Sequence, residues 1–207
     1  MGGRIFGRVP AVGAAAIVAA LMVPASAEAI VSITYNTAGD TITVAAGDGE
    51  INDLYIQEVF MGGGNVYFQE STPGVNVSAS DGRCFQGATY AAECDGTGVT
   101  TIVVKMRDKG DTLDVPEVSW PVDRGIEVTG GSGDDTVNGS LGDDTLRGGA
   151  GNDQLVADGG RDALFGGRGK DHLNARDGEA DLKIDCGKGR DPRAKRDAHL
   201  DPPAKSC

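Results

Sequence analysis

Histidine and aromatic residues are scarce in this chain of 207 residues. It has two histidines, His172 and His199, and an aromatic content of 5%. It contains neither the H-E-x-x-H pattern of zinc hydrolases nor the G-x-S-x-G pattern of serine hydrolases. A serine or cysteine triad would have to use one of the two histidines. These deficits predict a protein that is not an enzyme.

Basic residues are few relative to acidic ones. The chain has 19 lysines and arginines against 31 aspartates and glutamates, which gives a formal net charge of -12. Nucleic acids and anionic lipid surfaces are bound by basic faces. The charge balance therefore argues against a nucleic-acid partner and indicates cations as the more natural ligands.

The sequence has one long apolar stretch. Residues 11–23 follow Arg4 and Arg8 and precede the small residues 25–27. The stretch is shorter than the ~20 apolar residues that a transmembrane helix needs, and its flanks are typical of a secretory signal peptide. We therefore predict a cleaved signal at residues 1–29, a secreted protein located outside the cell or on its surface, and no membrane insertion.

The four cysteines all lie beyond this segment, at Cys84, Cys94, Cys186 and Cys207. An even number of cysteines in an exported chain indicates disulfides. About three pairings are possible, and proximity favours Cys84 with Cys94 and Cys186 with Cys207 without excluding the others. The spacings match no zinc motif, so we predict disulfides rather than a zinc site.

Residues 30–129 alternate short β-prone runs with turns rich in Gly, Asp and Asn. The runs are rich in β-branched and aromatic residues, and they stand at residues 30–35, 41–44, 54–56, 65–68 and 100–104. No stretch of this half keeps a helical period. We predict an all-β region, either a small sandwich or the first coils of a solenoid.

Residues 130–174 divide into five blocks of nine residues, GGSGDDTVN, GSLGDDTLR, GGAGNDQLV, ADGGRDALF and GGRGKDHLN. The fourth residue is glycine in every block: Gly133, Gly142, Gly151, Gly160 and Gly169. The sixth is aspartate in every block: Asp135, Asp144, Asp153, Asp162 and Asp171. The eighth is always aliphatic: Val137, Leu146, Leu155, Leu164 and Leu173. Such a strict period predicts a repeat architecture.

The blocks resemble the G-G-x-G-x-D-x-U-x nonapeptides of the repeat-in-toxin family, the hemolysin-type calcium-binding repeats. The resemblance implies a parallel β-roll that binds Ca²⁺ through the sixth-position aspartates and through carbonyls of the second and fourth positions. The predicted ligands are therefore Asp135, Asp144, Asp153, Asp162, Asp171, Gly131, Gly133, Gly142, Gly149, Gly151, Gly160, Gly167 and Gly169. Ser140 and Asp158 replace glycine at two second positions.

The nine-residue period has a geometric consequence. Six residues of each block form a turn and three a strand, so turns two blocks apart stack. Parallel strands lie ~4.8 Å apart, and Ca²⁺ takes about six to eight oxygens at about 2.3–2.6 Å. Glycine adopts positive φ freely, which lets turn carbonyls approach the ion. We expect ions between stacked aspartates, at Asp135/Asp153, Asp144/Asp162 and Asp153/Asp171, and a core of eighth-position side chains.

The period breaks after Asn174. Residues 175–181 place their aspartate one position late, and residues 186–191 restore the spacing. From the sequence, Asp181 and Asp191 are equally compatible with further calcium sites and with a plain end of the roll.

The repeats predict a division of the mature chain into three parts. A β-rich region at residues 30–129 precedes a nonapeptide-repeat roll at 130–191 and a tail at 192–207. Terminal repeats of a solenoid are atypical because one face meets water. We expect a disulfide between Cys186 and Cys207 to cap that end.

The layout as a whole resembles small secreted bacterial proteins that carry hemolysin-type repeats. We expect an all-β, calcium-ion-binding protein whose β-roll folds with Ca²⁺ and which has a structural or surface role outside the cell. The alternative is an adhesin or a glycan- or protein-binding module, in which residues 30–129 recognise the partner and the roll only stabilises them. The sequence identifies no protein or glycan partner.

Overall fold

A computed structural model of the chain describes residues 30–36, 41–49, 51–59, 65–70, 76–79, 83–86, 91–115 and 124–207. Their regular structure is entirely β-strand, and within these ranges no helix is long and apolar enough to span a membrane. The predicted signal peptide at residues 1–29 lies outside the described residues. The predicted all-β fold with a parallel β-roll is confirmed.

The described residues form two sheets, here called sheet A and sheet B. Sheet A contains β1 (Ile30–Tyr35), β2 (Thr41–Ala45), β5 (Asn76–Ala79), β8 (Thr101–Asp108), β10 (Gly125–Ser132), β12 (Thr145–Ala150), β14 (Ala163–Arg168) and β16 (Lys183–Lys188). Sheet B contains β3 (Asp53–Val59), β4 (Asn65–Glu70), β6 (Cys84–Gln86), β7 (Ala91–Asp95), β9 (Thr112–Asp114), β11 (Thr136–Asn138), β13 (Gln154–Val156), β15 (His172–Ala175) and β17 (Lys195–Arg196).

The chain alternates between the two sheets to make the coils of a solenoid. In sheet A the strands β2, β8, β10, β12, β14 and β16 lie side by side and parallel. In sheet B the strands β3, β9, β11, β13, β15 and β17 do the same. Each of these parallel sheet A strands leads into one of the parallel sheet B strands, so a coil uses one strand from each sheet. Two nine-residue blocks therefore make one coil.

Aliphatic side chains between the sheets form a thin core. Ladder partners in sheet A are Val44, Val104, Val128, Leu146, Leu164 and Ile184. Those in sheet B are Leu54, Leu113, Val137, Leu155 and Leu173. All of them are buried, which confirms that the eighth position of each block faces inward. The burial of these ladders supplies the hydrophobic stabilisation of the roll.

The N-terminal half combines coils with antiparallel strands. The parallel ladders already include β2, β3, β8 and β9, while β1 pairs antiparallel with β2 and β4 pairs antiparallel with β3. Strands β7 and β6 extend sheet B further, and a Cys84–Cys94 disulfide joins them. The antiparallel strands cover the first coil and so protect an edge that would otherwise be open to pairing.

The C-terminal tail closes the other end of sheet A. Lys205 N–H donates to Ile184 O at 2.9 Å, and Cys186 N–H donates to Lys205 O at 2.9 Å. A disulfide joins Cys186 to Cys207, in the pairing that sequence proximity favours. The tail thereby satisfies backbone groups of β16 that face away from β14.

Candidate calcium sites

Two series of turns connect the sheets, and the aspartates of interest lie in them. AB turns lead from a sheet A strand to the next sheet B strand, and BA turns lead back to sheet A. The aspartates that stack from one AB turn to the next are Asp111, Asp135, Asp153, Asp171 and Asp191. Those that stack in the BA turns are Asp144, Asp162, Asp181 and Asp201. The predicted ligands are thus divided between two opposite edges of the roll.

The AB aspartates are joined by hydrogen bonds from backbone to carboxylate. Asp135 N–H donates to Asp153 Oδ1 and Asp153 N–H donates to Asp171 Oδ1, each at 3.0 Å across 18 residues. The series extends to Asp111, whose N–H donates to Asp135 Oδ1 at 2.9 Å, and to Asp191, which accepts from Asp171 N–H at 2.8 Å. The structure therefore brings together the predicted pairs Asp135/Asp153 and Asp153/Asp171.

The second oxygen of each AB carboxylate has no such partner. Asp135, Asp153 and Asp171 are at most 1% exposed, and their Oδ2 atoms accept no hydrogen bond within the described residues. The same holds for Oδ2 of Asp111 and Asp191. A buried unpaired carboxylate oxygen is costly, and a bound cation would remove that cost. The AB turns thus fit calcium.

In the AB turns around Asp135, Asp153 and Asp171, the first glycine keeps space open beside that oxygen. A Cβ on Gly130 would lie 2.5 Å from Gly148 O and would overlap Asp135 Oδ2. A Cβ on Gly166 would lie 2.5 Å from Asp171 Oδ2 and would overlap Cys186 O. A carboxylate oxygen and a carbonyl oxygen of the next turn therefore converge where only glycine fits. The repeat pattern predicted ligand roles for the second and fourth glycines, whereas this role of the first glycine was not predicted from the sequence.

In the AB turns around Asp135, Asp153 and Asp171, the second and fourth glycines adopt left-handed backbone conformations. Gly149 has φ +122° and Gly151 has φ +142°, which side chains rarely tolerate. A Cβ on Gly149 would overlap Gly131 O, and one on Gly151 would overlap Gly133 O. Gly167 and Gly169 repeat this arrangement. The carbonyls of the predicted ligand glycines therefore face the next turn, as an ion between turns requires.

Burial raises the pKa of the carboxyl groups of Asp111, Asp135, Asp153 and Asp171. Desolvation is the largest cause and nearby aspartates add to it, so that the pKa of Asp135 is about 7 and that of Asp153 about 6. The backbone N–H of the preceding turn opposes the rise. The pKa values of Asp111 and Asp171 are raised for the same main reason. Metal binding requires the ionised form, so Asp135 and Asp153 are expected to exchange protons for calcium near neutral pH.

The BA aspartates form a second series. Asp144 N–H donates to Asp162 Oδ1 at 2.8 Å, so the predicted pair Asp144/Asp162 is adjacent. Asp162 N–H donates to Asp181 Oδ1 at 3.0 Å across 19 residues. The turn before Asp181 therefore accommodates one extra residue and still places the carboxylate in the series. Asp201 ends the series by accepting from Asp181 N–H at 3.2 Å.

Asp144 differs from the other predicted aspartates because the chain itself occupies both of its oxygens. Ser140 N–H donates to Asp144 Oδ2 at 2.6 Å, and the Ser140 hydroxyl donates to Oδ1 at 2.8 Å. Ile126 N–H also donates to Oδ1, at 2.8 Å. Burial raises the pKa of Asp144 to about 7 although these bonds oppose the rise. Asp144 is thus the least available of the predicted ligands.

The remaining predicted BA ligands follow the AB pattern in part. Gly160 has φ +117°, and a Cβ there would lie 2.6 Å from Gly142 O. The Gly142 carbonyl therefore faces the next turn, although Gly142 is not itself in the left-handed region. Asp158, which stands at a second position, has φ +62°. A non-glycine residue in this conformation bears a steric cost that glycine avoids.

A family model matches the region that contains these turns. The model for the RTX calcium-binding nonapeptide repeat (4 copies) matches residues 129–164 and 156–179. This stretch consists of RTX repeats. Repeats of this kind bind Ca²⁺, in agreement with the unpaired oxygens and glycine-lined gaps of the AB turns. Comparison of the chain with curated proteins and with solved structures gave no match.

Turns outside the matched residues stack on the RTX turns. Arg107 pairs with Gly131 in the ladder and has φ +77°, while Lys109 has φ +75°. These residues take the left-handed places that glycine holds in the repeats, and the turn ends at Asp111. Its K-G-D-T-L segment resembles the end of a repeat and could have indicated this turn from the sequence. Because the turn lacks glycine at its second and fourth positions, the nine-residue pattern does not identify it.

The AB series begins at an amide rather than a carboxylate. Asn52 N–H donates to Asp111 Oδ1 at 2.7 Å, and its side-chain Nδ2 donates to the same oxygen at 3.2 Å. An uncharged residue thus takes the aspartate's place in the first coil. The stacked carboxylates of the AB edge therefore begin with Asp111, in the second coil.

Proposed function

We propose that this protein is a secreted, non-catalytic calcium-binding protein with a structural or surface role outside the cell, whose roll folds as Ca²⁺ joins its stacked turns. The AB series carries the proposal: successive buried carboxylates keep one oxygen unpaired beside the carbonyls of the next turn. Two carboxylates and several carbonyls meet the oxygen-ligand requirement of calcium. The RTX repeats in the same residues support the same ion.

An extracellular location supports calcium-dependent folding. If each site has a dissociation constant of ~0.1 mM and free calcium is ~1 mM, each bound ion adds about 1.4 kcal/mol of stability. Three such ions add about 4 kcal/mol, a large share of the ~5–15 kcal/mol typical of a domain. The signal-like residues 1–29 and the two disulfides agree with export to an oxidising compartment.

The surroundings of His172 support a non-catalytic role. This histidine is exposed on sheet B, beside a depression of about 320 Å³ that Gln154, Asn174, Arg193 and Lys195 also line. The described lining contains no carboxylate, serine or cysteine to act as a nucleophile or to orient the imidazole. RTX rolls are also typically non-catalytic.

Calorimetric titration of calcium into the mature chain, residues 30–207, tests the proposal. Asp153→Asn is the informative variant, because Asp153 lies in the middle of the AB series and borders two gaps. We expect it to lose about two bound ions. Glu127→Gln is the control, since it removes one exposed charge on the outer face of sheet A.

Circular dichroism in parallel titrations tests calcium-dependent folding. We expect the chelator-treated chain to lose most of its strand signal and to recover it with calcium. No calcium uptake by the unaltered chain would refute the proposal. Equal stoichiometry for Asp153→Asn and Glu127→Gln would show that the AB turns are not the sites.

A further inference from the structure

The BA turn of residues 175–181 departs furthest from the repeat pattern. Asp162, Asp177 and Asp181 each place a carboxylate oxygen there, and these oxygens lie within 4.8 Å of one another. Two oxygens bound to one calcium ion lie at most about 5 Å apart, given metal–oxygen distances of about 2.3–2.6 Å. The three carboxylates are thus close enough to share one ion without rearrangement.

Asp177 is an addition to the repeat pattern. Val156 pairs with Asn174 in sheet B. Asp177 therefore occupies the position that Gly159 occupies in the preceding BA turn. Asp177 Oδ1 accepts the N–H of Glu179 at 2.7 Å. This bond occupies Oδ1 and leaves Oδ2 without a partner within the described residues.

The oxygens of the cluster are buried and unpaired. Asp162 is 0% exposed and Asp181 is 7% exposed. Oδ2 of Asp162, Asp177 and Asp181 accepts no hydrogen bond within the described residues. The Oδ1 atoms of Asp162 and Asp181 already accept backbone N–H groups of the BA series. Each carboxylate therefore has one oxygen held by a backbone N–H and a second oxygen without a partner.

The chain below the cluster holds the turn in place. The N–H groups of Asp177 and Gly178 donate to Asp197 Oδ2 at 3.0 and 2.8 Å. Asp201 accepts from Asp181 N–H through Oδ1 and from Asp197 N–H through Oδ2. Both oxygens of Asp201 are thus occupied by the chain, so the BA series ends there with the cluster as its last group of unpaired oxygens.

We propose that Asp162, Asp177 and Asp181 form a three-carboxylate calcium site that binds its ion more tightly than the other sites and fills first. This inference rests on the proposed function, because it assumes a calcium-dependent roll. Affinity for calcium rises with the number of charged ligands in a site, and each AB gap is bordered by two such aspartates. The third negative charge also favours a trivalent ion over a divalent one.

Calorimetry of the mature chain is the direct test. We expect one ion per chain to bind at least about tenfold more tightly than the rest, and terbium(III) to displace calcium first from that site. Asp177→Asn keeps the size of the side chain but removes the third charge. It should merge the tight site with the weaker ones and leave the total number of ions unchanged.

Glu179→Gln is the matched control. It removes one charge from the same turn, but Glu179 is exposed and is not a member of the cluster. We expect it to retain the tight site. Circular dichroism at saturating calcium should show that both variants fold.

The outcomes separate this inference from the proposed function. A single uniform class of ions in the unaltered chain would overturn the inference while leaving calcium binding intact, and this result needs no variant. A tight site that survives Asp177→Asn would also overturn it. No calcium binding by the unaltered chain would instead overturn the proposed function.

Discussion

The two edges of the roll carry the same repeated aspartate but differ in chemical character. In the AB turns around Asp135, Asp153 and Asp171, glycine holds the first, second and fourth positions, and in the turn around Asp191 cysteine replaces the first glycine. In the BA turns, Ser140 and Asp158 replace second-position glycines and the turn before Asp181 has an extra residue. The AB carboxylates keep an unpaired oxygen, whereas Asp144 loses both oxygens to chain donors.

The difference shows that the aspartate alone does not make the site. Ser140 supplies a hydroxyl and an N–H to Asp144, while glycine at the matching AB position offers no side-chain donor. At the other extreme, Asp177 adds a carboxylate where the preceding turn has Gly159. The residues around the repeated aspartate thus decide whether its carboxylate is fully paired with chain donors, keeps one unpaired oxygen, or lies in a cluster with further carboxylates.

The largest loss of stability is expected from a substitution that disrupts a regular AB turn. In Gly149→Ala the new Cβ would overlap Gly131 O in a left-handed conformation at φ +122°. The backbone strain costs roughly 1–3 kcal/mol, and the overlap adds to it, so we expect a loss of at least about 2 kcal/mol. Denaturant unfolding at saturating calcium measures the loss.

Gly159→Ala on the BA edge is the control for this change. Gly159 is not in the left-handed region, and a Cβ there would lie 3.3 Å from the flexible end of Leu141. We expect a change within about 1 kcal/mol. Equal destabilisation by the two variants would contradict the contrast between the edges.

Lowering the pH should stabilise the turns of both edges in the absence of calcium, because protons then neutralise the buried carboxyl groups that calcium would otherwise neutralise. Burial raises the pKa of Asp135 to about 7, of Asp153 to about 6 and of Asp162 to about 9, from a usual 3.8. A carboxyl whose pKa is higher in the folded state stabilises that state below its unfolded pKa, and this stabilisation is lost as pH rises through the folded pKa. Calcium-free roll should therefore be more structured at pH ~5 than at pH ~8.

Circular dichroism of the calcium-free chain across this pH range measures the effect. Calcium affinity should change in the opposite direction, with the dissociation constant falling about tenfold between pH ~6 and pH ~8 as protons leave the ligands. A calcium-free roll that gains structure as pH rises would show that the buried carboxylates do not control folding.

The smallest effect is expected from a substitution that makes a BA turn resemble an AB turn. Ser140→Gly removes the hydroxyl donor of Asp144 and leaves the backbone N–H in place. One lost hydrogen bond costs about 1 kcal/mol in the absence of calcium. Asp144 Oδ1, which then accepts from Ile126 N–H alone, should be more available to calcium, so we expect binding at Asp144 to tighten several-fold. Ser132→Gly, at the third position of an AB turn, is the control. Weaker calcium binding by Ser140→Gly would mean that the serine belongs to the site.

The nine-residue period allowed much of the fold to be predicted. With glycine, aspartate and an aliphatic residue at constant places, two blocks must form one coil, and residues 18 apart must stack. The spacing of Asp135, Asp153 and Asp171 is therefore enough to pair them correctly. The burial of Leu146 and Leu155 follows from the same alternation.

The turns that end at Asp111 and Asp181 could not be predicted from the nine-residue period. Asp111 lies in a turn whose left-handed residues are Arg107 and Lys109 rather than glycine, so local sequence does not reveal its match to the repeats. Asp181 is displaced by one residue, and only the hydrogen bond from Asp162 shows that the turn absorbs the insertion.

The sequence by itself determined the all-β roll and the ion class, because a strict period permits only one stacking of coils and because clustered aspartates and glycines offer oxygen ligands. Only the tertiary structure decided which carboxylates are available. Availability depends on donors such as Ser140 and on neighbours such as Asp177, which reach a carboxylate only when particular turns stack. Hydrogen bonds and charge act over a few ångströms, so chemically equivalent aspartates became different sites once the coils were in place.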